Sequence, residues 1–206
     1  AWLWIIPFSN GLTSVGAVAT PAFFERFPGP PEASLRAILA QEPAAAARLA
    51  AATFDFEPRT IRGYSASVSR LFGTGYCLVG NATEFLDPVF SSGVTLALES
   101  AHRAASLVSR QLQGHAVDWQ GGYADHMARG IDVFRTFVTR WYDGALPDIF
   151  FSSRQDAGAR ARICSVLAGY VWDDSNPLVR DHARKVDQLW RLARAEATAE
   201  IGRAHV

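Results

Sequence analysis

Leu78-Val79-Gly80-Asn81-Ala82-Thr83-Glu84-Phe85-Leu86-Asp87-Pro88-Val89-Phe90-Ser91-Ser92-Gly93-Val94 is the stretch on which the fold turns. A short apolar strand over 76–79 stops at Gly80, a loop follows, and a helix begins. From Val94 on, Ala97, Leu98, Ala101, Ala104, Ala105, Val108 and Leu112 recur at helical spacing. Gly114 supplies the stop. The alanines predict close packing of this helix against a sheet. Ser92 and Gly93 stand just before the first turn, where a helix exposes unbonded amides and a partial positive charge. Side chains this small let a ligand approach those amides. The same residues also suit an ordinary strand–loop–helix with Ser92 as the N-cap.

Upstream, Trp2-Leu3-Trp4-Ile5-Ile6-Pro7 and residues 13–20 read as strands joined through Ser9-Asn10-Gly11, a strong hairpin signal. Alternation puts Trp2, Trp4 and Ile6 on one side. Pro28-Gly29-Pro30-Pro31 breaks the chain, and 34–41 and 44–52 read as short helices. A strand is expected over 60–71, then a turn at Gly73-Thr74-Gly75. Downstream, Trp119, Tyr123, Met127, Ile131, Phe134, Val138 and Trp141 form one long helical stripe. Gly121, Gly122 and Gly130 weaken that helix and predict a later start. Two more helices are expected over 157–171 and 178–199. Strands come first and helices last, an α+β order, with no linker to divide the chain.

The 206 residues are 49% apolar, ample for a packed core, and 20 basic against 20 acidic residues give a net charge of zero. That balance offers no footprint for nucleic acid. Cys77 and Cys164 have no metal-ligand spacing, so neither a metal site nor a disulfide framework is implied, and a reduced, cytoplasmic setting is expected. The five histidines read as surface or capping residues. No apolar run approaches the ~18 residues of a membrane span. No signal peptide is recognised. Ile201-Gly202-Arg203-Ala204-His205-Val206 reads as a translated sequencing adapter and is set aside.

The segment from Leu78 to Val94 resembles the second FAD-binding motif of flavoprotein monooxygenases, in which a strand ends in Gly-Asp and a Pro precedes a Gly-rich helix start. Its fuller form, Phe85-Leu86-Asp87-Pro88 followed by Phe90-Ser91-Ser92-Gly93-Val94, looks like the flavin-dependent halogenases and their relatives. Trp2 to Pro7 fits their W-x-W-x-I-P motif, and residues 11–18 resemble the strand that follows it. The resemblance covers residues 1 to about 111; residues 118–199 are similar, with less specificity, to the variable C-terminal region of such enzymes.

This resemblance implies the C-terminal half of a two-domain FAD-binding fold of the p-hydroxybenzoate hydroxylase type. Residues 1–75 would be a substrate-side sheet portion, 76–114 the end of the FAD-binding domain, and 115–200 a helical region. Gly80, Asn81, Asp87, Pro88, Ser92, Gly93 and Val94 would bind FAD. Ser92 and Gly93 would also meet a halide. Trp2, Trp4, Ile6 and Pro7 would line the substrate chamber. The implied reaction runs through a flavin hydroperoxide on an aromatic or polyene-like small molecule, free or on a carrier protein. A flavin reductase or NAD(P)H would supply electrons. The lysine expected to assist halogen transfer would lie in a preceding half; Lys185, the sole lysine here, is not assigned that role.

Two departures stand out. Asn81 occupies the position of an Asp, keeping an acceptor but losing the charge. Glu84 stands where many relatives have Gly. Aimed at a halide 4 Å away, it would repel it by roughly 4 kcal/mol at an effective dielectric of 20; aimed at solvent, it would be silent. Halogenase, hydroxylase-type monooxygenase and a non-catalytic relative that has lost flavin all stay open. The fragment alone is expected to be inert.

Overall fold

β1 (Trp2–Pro7) and β2 (Thr13–Val18) pair antiparallel, with Trp2 opposite Val18 and Pro7 opposite Thr13. The computed structural model describes residues 1–152 and 156–204, with side chains through Ala195. Phe8 N–H donates to Leu12 O at 2.8 Å and Gly11 N–H to Phe8 O at 3.2 Å. The hairpin therefore closes on three residues, Ser9-Asn10-Gly11, with Gly11 in the left-handed region at φ +85°. Asn10 Oδ1 accepts the Leu12 N–H at 3.1 Å and braces the turn.

Three helices follow: α1 (Pro21–Phe24), α2 (Pro31–Leu39) and α3 (Pro43–Leu49). Each opens on a proline, which lacks the N–H that the first turn leaves unbonded and carries a helical φ. That is why α2 begins before the expected residue 34. Val18, Ile38, Leu39 and Ala45 are buried in this unit. By packing the chain forms two compact units, Ala1–Gly63 and Tyr64–Val206. The divisions drawn at residues 75 and 114 follow motif order, whereas packing divides the chain at Gly63.

In the second unit β3 (Ala66–Ser67) pairs antiparallel with β6 (Glu84–Phe85), and β4 (Phe72–Gly73) with β5 (Tyr76–Cys77). The long strand expected over 60–71 is thus cut to two residues. The strand leading to Gly80 pairs antiparallel with β4, and Leu78 N–H donates to Leu71 O at 2.8 Å. Of the apolar residues in these two segments, Leu71 and Cys77 pack against the helical core, whereas Ile61, Val68 and Val79 are exposed.

The helices are α4 (Ser92–Leu112), α5 (Asp125–Tyr142), α6 (Ala145–Phe150), α7 (Ala157–Leu167), α8 (Pro177–Arg180) and α9 (His182–Ala204). Gly114 ends α4 at φ +84°. A π-helical turn, Gln120–Ala124, absorbs Gly121 and Gly122, so α5 starts late as expected. The helix expected over 178–199 is interrupted: Asp181, at φ −141°, separates α8 from α9. Residues 201–204 continue α9, and 205 and 206 of the suspected adapter tail lie outside the described residues.

Tyr123, Met127, Ile131, Phe134 and Phe137 form the spine of one core with Leu96, Ile163, Val166, Val171 and Val186. Gly130 has a packing reason. A Cβ there would fall 2.3 Å from Cζ2 of the Trp172 indole. Gly130→Ala should therefore lower stability by about 1–2 kcal/mol despite the better helix propensity, read as a shift in the denaturation midpoint.

Candidate functional site

Gly80 sits at φ +60°, and its N–H donates to Ser100 Oγ at 2.9 Å. Ser100, fully buried on α4, donates in turn to Ala97 O at 3.1 Å. The strand end is thereby pinned to the third turn of α4. Thr83 is buried and donates Oγ1–H to Gly80 O at 2.7 Å, closing the tight turn Gly80–Ala82. Asn81 rides on this turn with Oδ1 beside Gly93, where an added Cβ would lie 3.6 Å away. Two expected site residues twelve positions apart in sequence thus meet at the start of α4. Tyr123 on the neighbouring π-turn donates its hydroxyl to Leu78 O. Burial pushes that phenol up to about 12.

The other approach to α4 runs through Asp87. Its Oδ1 accepts the Val89 N–H at 2.9 Å and so caps the single turn Pro88–Phe90. Its Oδ2 accepts the Tyr142 hydroxyl at 2.8 Å and the Tyr64 hydroxyl at 3.2 Å. At 8% exposure the carboxylate is buried among these donors, and Pro88 starts the turn that follows.

Ser91 then adopts φ +53°, ψ +29°, the one non-glycine in the left-handed region among the described residues. Such a conformation costs roughly 1–2 kcal/mol for an L-residue. Ser91, not the expected Ser92, holds the N-cap position, and its side chain bonds no amide there. Ser92 is the first helical residue and is buried, Gly93 is half-buried, and Val94 faces outward. The amides of Ser92, Gly93 and Val94 thus lie at the start of a 21-residue helix with no side-chain cap.

Glu84 does neither of the things considered for it. It is buried, with its carboxylate 3.1 Å from Arg135 Nη2 on α5. Its charge is answered inside the protein and is not aimed at an anion.

On the first unit, the Trp2 and Trp4 rings stand 5.8 Å apart on one face of the hairpin, tilted by 51°. Trp4 Nε1–H donates to Ser14 Oγ at 3.0 Å. The Trp4 ring covers Gly16, its strand partner, where a Cβ would come within 2.1 Å. Ile6 is half exposed and Pro7 is exposed at the strand end.

His126 corrects the surface reading of the histidines. It stacks on Trp172 at 4.9 Å with a 6° interplanar angle, and Nε2 lies 2.7 Å from Glu99 Oε1. Glu99 also accepts from Arg103 Nε at 2.6 Å. Burial, aided by the Arg103 charge, holds His126 below the ordinary imidazole value despite Glu99. Burial raises the Glu99 carboxyl, but the Arg103 bond and charge together with His126 bring it below its usual range. Both shifts act in one direction. The unfolded chain binds protons more readily at each group, so the stability they contribute is present above the unfolded pKa and lost as pH falls. Thermal stability should therefore drop from pH 7 toward pH 4, and His126→Gln should flatten the upper part of that profile, as read by melting curves in a pH series.

Among the described residues no cluster of three potential ligands could hold a metal, and no helix is long and apolar enough to cross a membrane. The tryptophan halogenase family matches residues 1–157. A 1H-pyrrole-2-carbonyl-[peptidyl-carrier protein] chlorinase from Pseudomonas fluorescens is 27% identical over 195 residues, which are 90% of this chain and 41% of that protein. The crystal structure of a flavoprotein/dehydrogenase from Cytophaga hutchinsonii superposes with a TM-score of 0.91 at 48% identity, covering 95% of this chain and 48% of that one. The structure of the flavin-dependent brominase Bmp2 shares the fold, with a TM-score of 0.74 at 23% identity over 91% of this chain and 48% of that one. The chain spans less than half the length of each of these relatives. The tryptophan pair on β1 and the glycine-bounded, uncapped start of α4 fall within the matched residues, and the chain belongs to the tryptophan halogenase family.

Proposed function

We propose that the full-length protein is an FAD-dependent, halogenase-like oxidoreductase acting on an aromatic or polyene-like small molecule. The observation that carries this reading is the start of α4, with three uncapped amides, a glycine in their midst and Asn81 Oδ1 alongside. Those donors fit the electron-rich edge of an isoalloxazine. Ser92, Gly93 and Val94 would present backbone amides to that edge, and Ser92 and Gly93 would meet a halide. Asn81 would offer an uncharged acceptor and donor to the ribityl chain. Asp87 and Pro88 would act by shaping the loop, because the Asp87 side chain is engaged within the protein. Trp2 and Trp4 would wall the substrate chamber, with Ile6 and Pro7 at its edge. Bound and reduced, FAD supplies the oxygen activation that oxidises halide.

The carrier-bound pyrrole substrate of the chlorinase relative favours a substrate tethered to a carrier protein. Electrons would come from a flavin reductase or NAD(P)H, and the setting would be the cytoplasm. The fold would be two-domain and p-hydroxybenzoate hydroxylase-like, with 1–75 on the substrate side, 76–114 closing the FAD-binding domain and 115–200 covering it. The full-length protein should yield organobromide from reduced FAD, oxygen, bromide and a pyrrolyl carrier protein. An oxygenated product would instead support a hydroxylase-type monooxygenase. A purified full-length protein without flavin would identify a non-catalytic relative.

The 206-residue chain alone should be inert. Val94 and Leu98, each 68% exposed, and Leu112, 83% exposed, lie with Ala101, Ala105 and Val108 along one uncovered stripe of α4. We read that stripe as the face that would pack against the rest of the full-length protein, and turnover by the isolated chain would contradict this.

A further inference from the structure

We propose that Tyr64 and Tyr142 are positioning residues for the cofactor-facing start of α4, acting through Asp87; the inference rests on the flavin reading of that helix start. Asp87 stands directly before the Pro88–Phe90 turn, and Ser91 directly after it. The two phenols meet one oxygen of the carboxylate at 3.2 and 2.8 Å, which fixes its rotation. Fixed rotation aims the other oxygen at the Val89 N–H, 2.9 Å away, and keeps the turn wound. Ser91 N–H donates to Pro88 O at 3.0 Å, so the left-handed residue is the last link of this chain of bonds. A left-handed serine persists only where its surroundings over-determine it. Here they do so through donors 23 residues before and 55 residues after Asp87. Burial pushes the Tyr64 phenol up to about 12, with the Asp87 charge adding to it, so it remains a donor throughout the working pH range. Tyr142 closes α5, in the helical region to which the family motifs assign no site residue.

The test uses the full-length protein as wild type, Tyr64→Phe, Tyr142→Phe and the double variant, with Tyr170→Phe, at an exposed position, as control. FAD affinity is read by flavin fluorescence, the flavin absorption bands at FAD saturation, and Tm by calorimetry. Each single variant should bind FAD about tenfold more weakly, the scale of one hydrogen bond to a charged group. The double variant should be weaker still. The bands should shift at saturation, while Tm moves by no more than about 5 °C. Wild-type affinity and wild-type bands in the variants, whatever their Tm, would overturn the positioning role. Should Tyr64→Phe fail to fold, Tyr142→Phe, at a position 38% exposed, decides alone by the same criteria. A wild-type protein that binds no FAD would contradict the flavin reading itself and the positioning role with it.

Discussion

Gly93→Val should weaken FAD binding by the full-length protein roughly a hundredfold while leaving it folded. Gly93 has ordinary helical geometry, so valine introduces no forbidden backbone angle. Its Cβ would sit 3.6 Å from Asn81 Oδ1, an ordinary contact. The two methyl groups beyond that Cβ are the difference, because they would occupy the approach to the first-turn amides. A ligand edge held by backbone N–H groups then loses those bonds and leaves the donors blocked. Two such hydrogen bonds correspond to about 2–3 kcal/mol, roughly a hundredfold in affinity. Equilibrium dialysis of FAD, with circular dichroism to check the fold, measures both halves of the expectation.

The second large effect is on stability. Asp87→Ala should cost about 3 kcal/mol, because it removes both carboxylate oxygens and with them the acceptors of three donors. The Tyr64 hydroxyl and the Val89 N–H would be left in a part-buried setting, each losing a bond worth about 1 kcal/mol. The Tyr142 side chain, 38% exposed, can turn part of its loss over to water. Released from its brace, the Pro88–Phe90 turn no longer holds Ser91 left-handed. Urea denaturation should show the midpoint falling with an unchanged m-value. Asp87→Asn, which keeps one acceptor oxygen, should fall between wild type and alanine.

What could be read in advance was local. The Asn10-Gly11 hairpin, the start of α4 near Gly93 and its stop at Gly114 depend on residues a few positions apart, where turn chemistry and helical spacing speak directly. The late start of α5 was legible for the same reason, because two adjacent glycines disfavour a regular first turn. The long strand expected over 60–71 failed because only Leu71 there joins the helical core while Ile61 and Val68 stay exposed; alternation alone cannot tell such a loop from a sheet strand. The α8–α9 interruption was hidden because apolar spacing runs on across Asp181.

The site divides along the same line. Gly80, Asn81, Ser92 and Gly93 were named from one contiguous motif, and the structure brings Asn81 and Gly93 together. Tyr64 and Tyr142 carry no local signal, since each meets Asp87 across a long stretch of chain. Ser100 did leave a trace as a polar residue among the alanines of α4, and it proves to hold Gly80 in place. From sequence His126 reads as a surface or capping residue, and Glu84 stays open between a halide site and solvent. Their partners, Glu99 with Trp172 and Arg135, are brought to them by tertiary packing alone.

Hydrogen–deuterium exchange of the full-length protein, with and without FAD, tests most directly whether the start of α4 carries the cofactor. Peptides spanning residues 91–95 should exchange freely in the apo protein and become protected when FAD binds. Saturation with FAD that leaves exchange there unchanged would contradict the assignment.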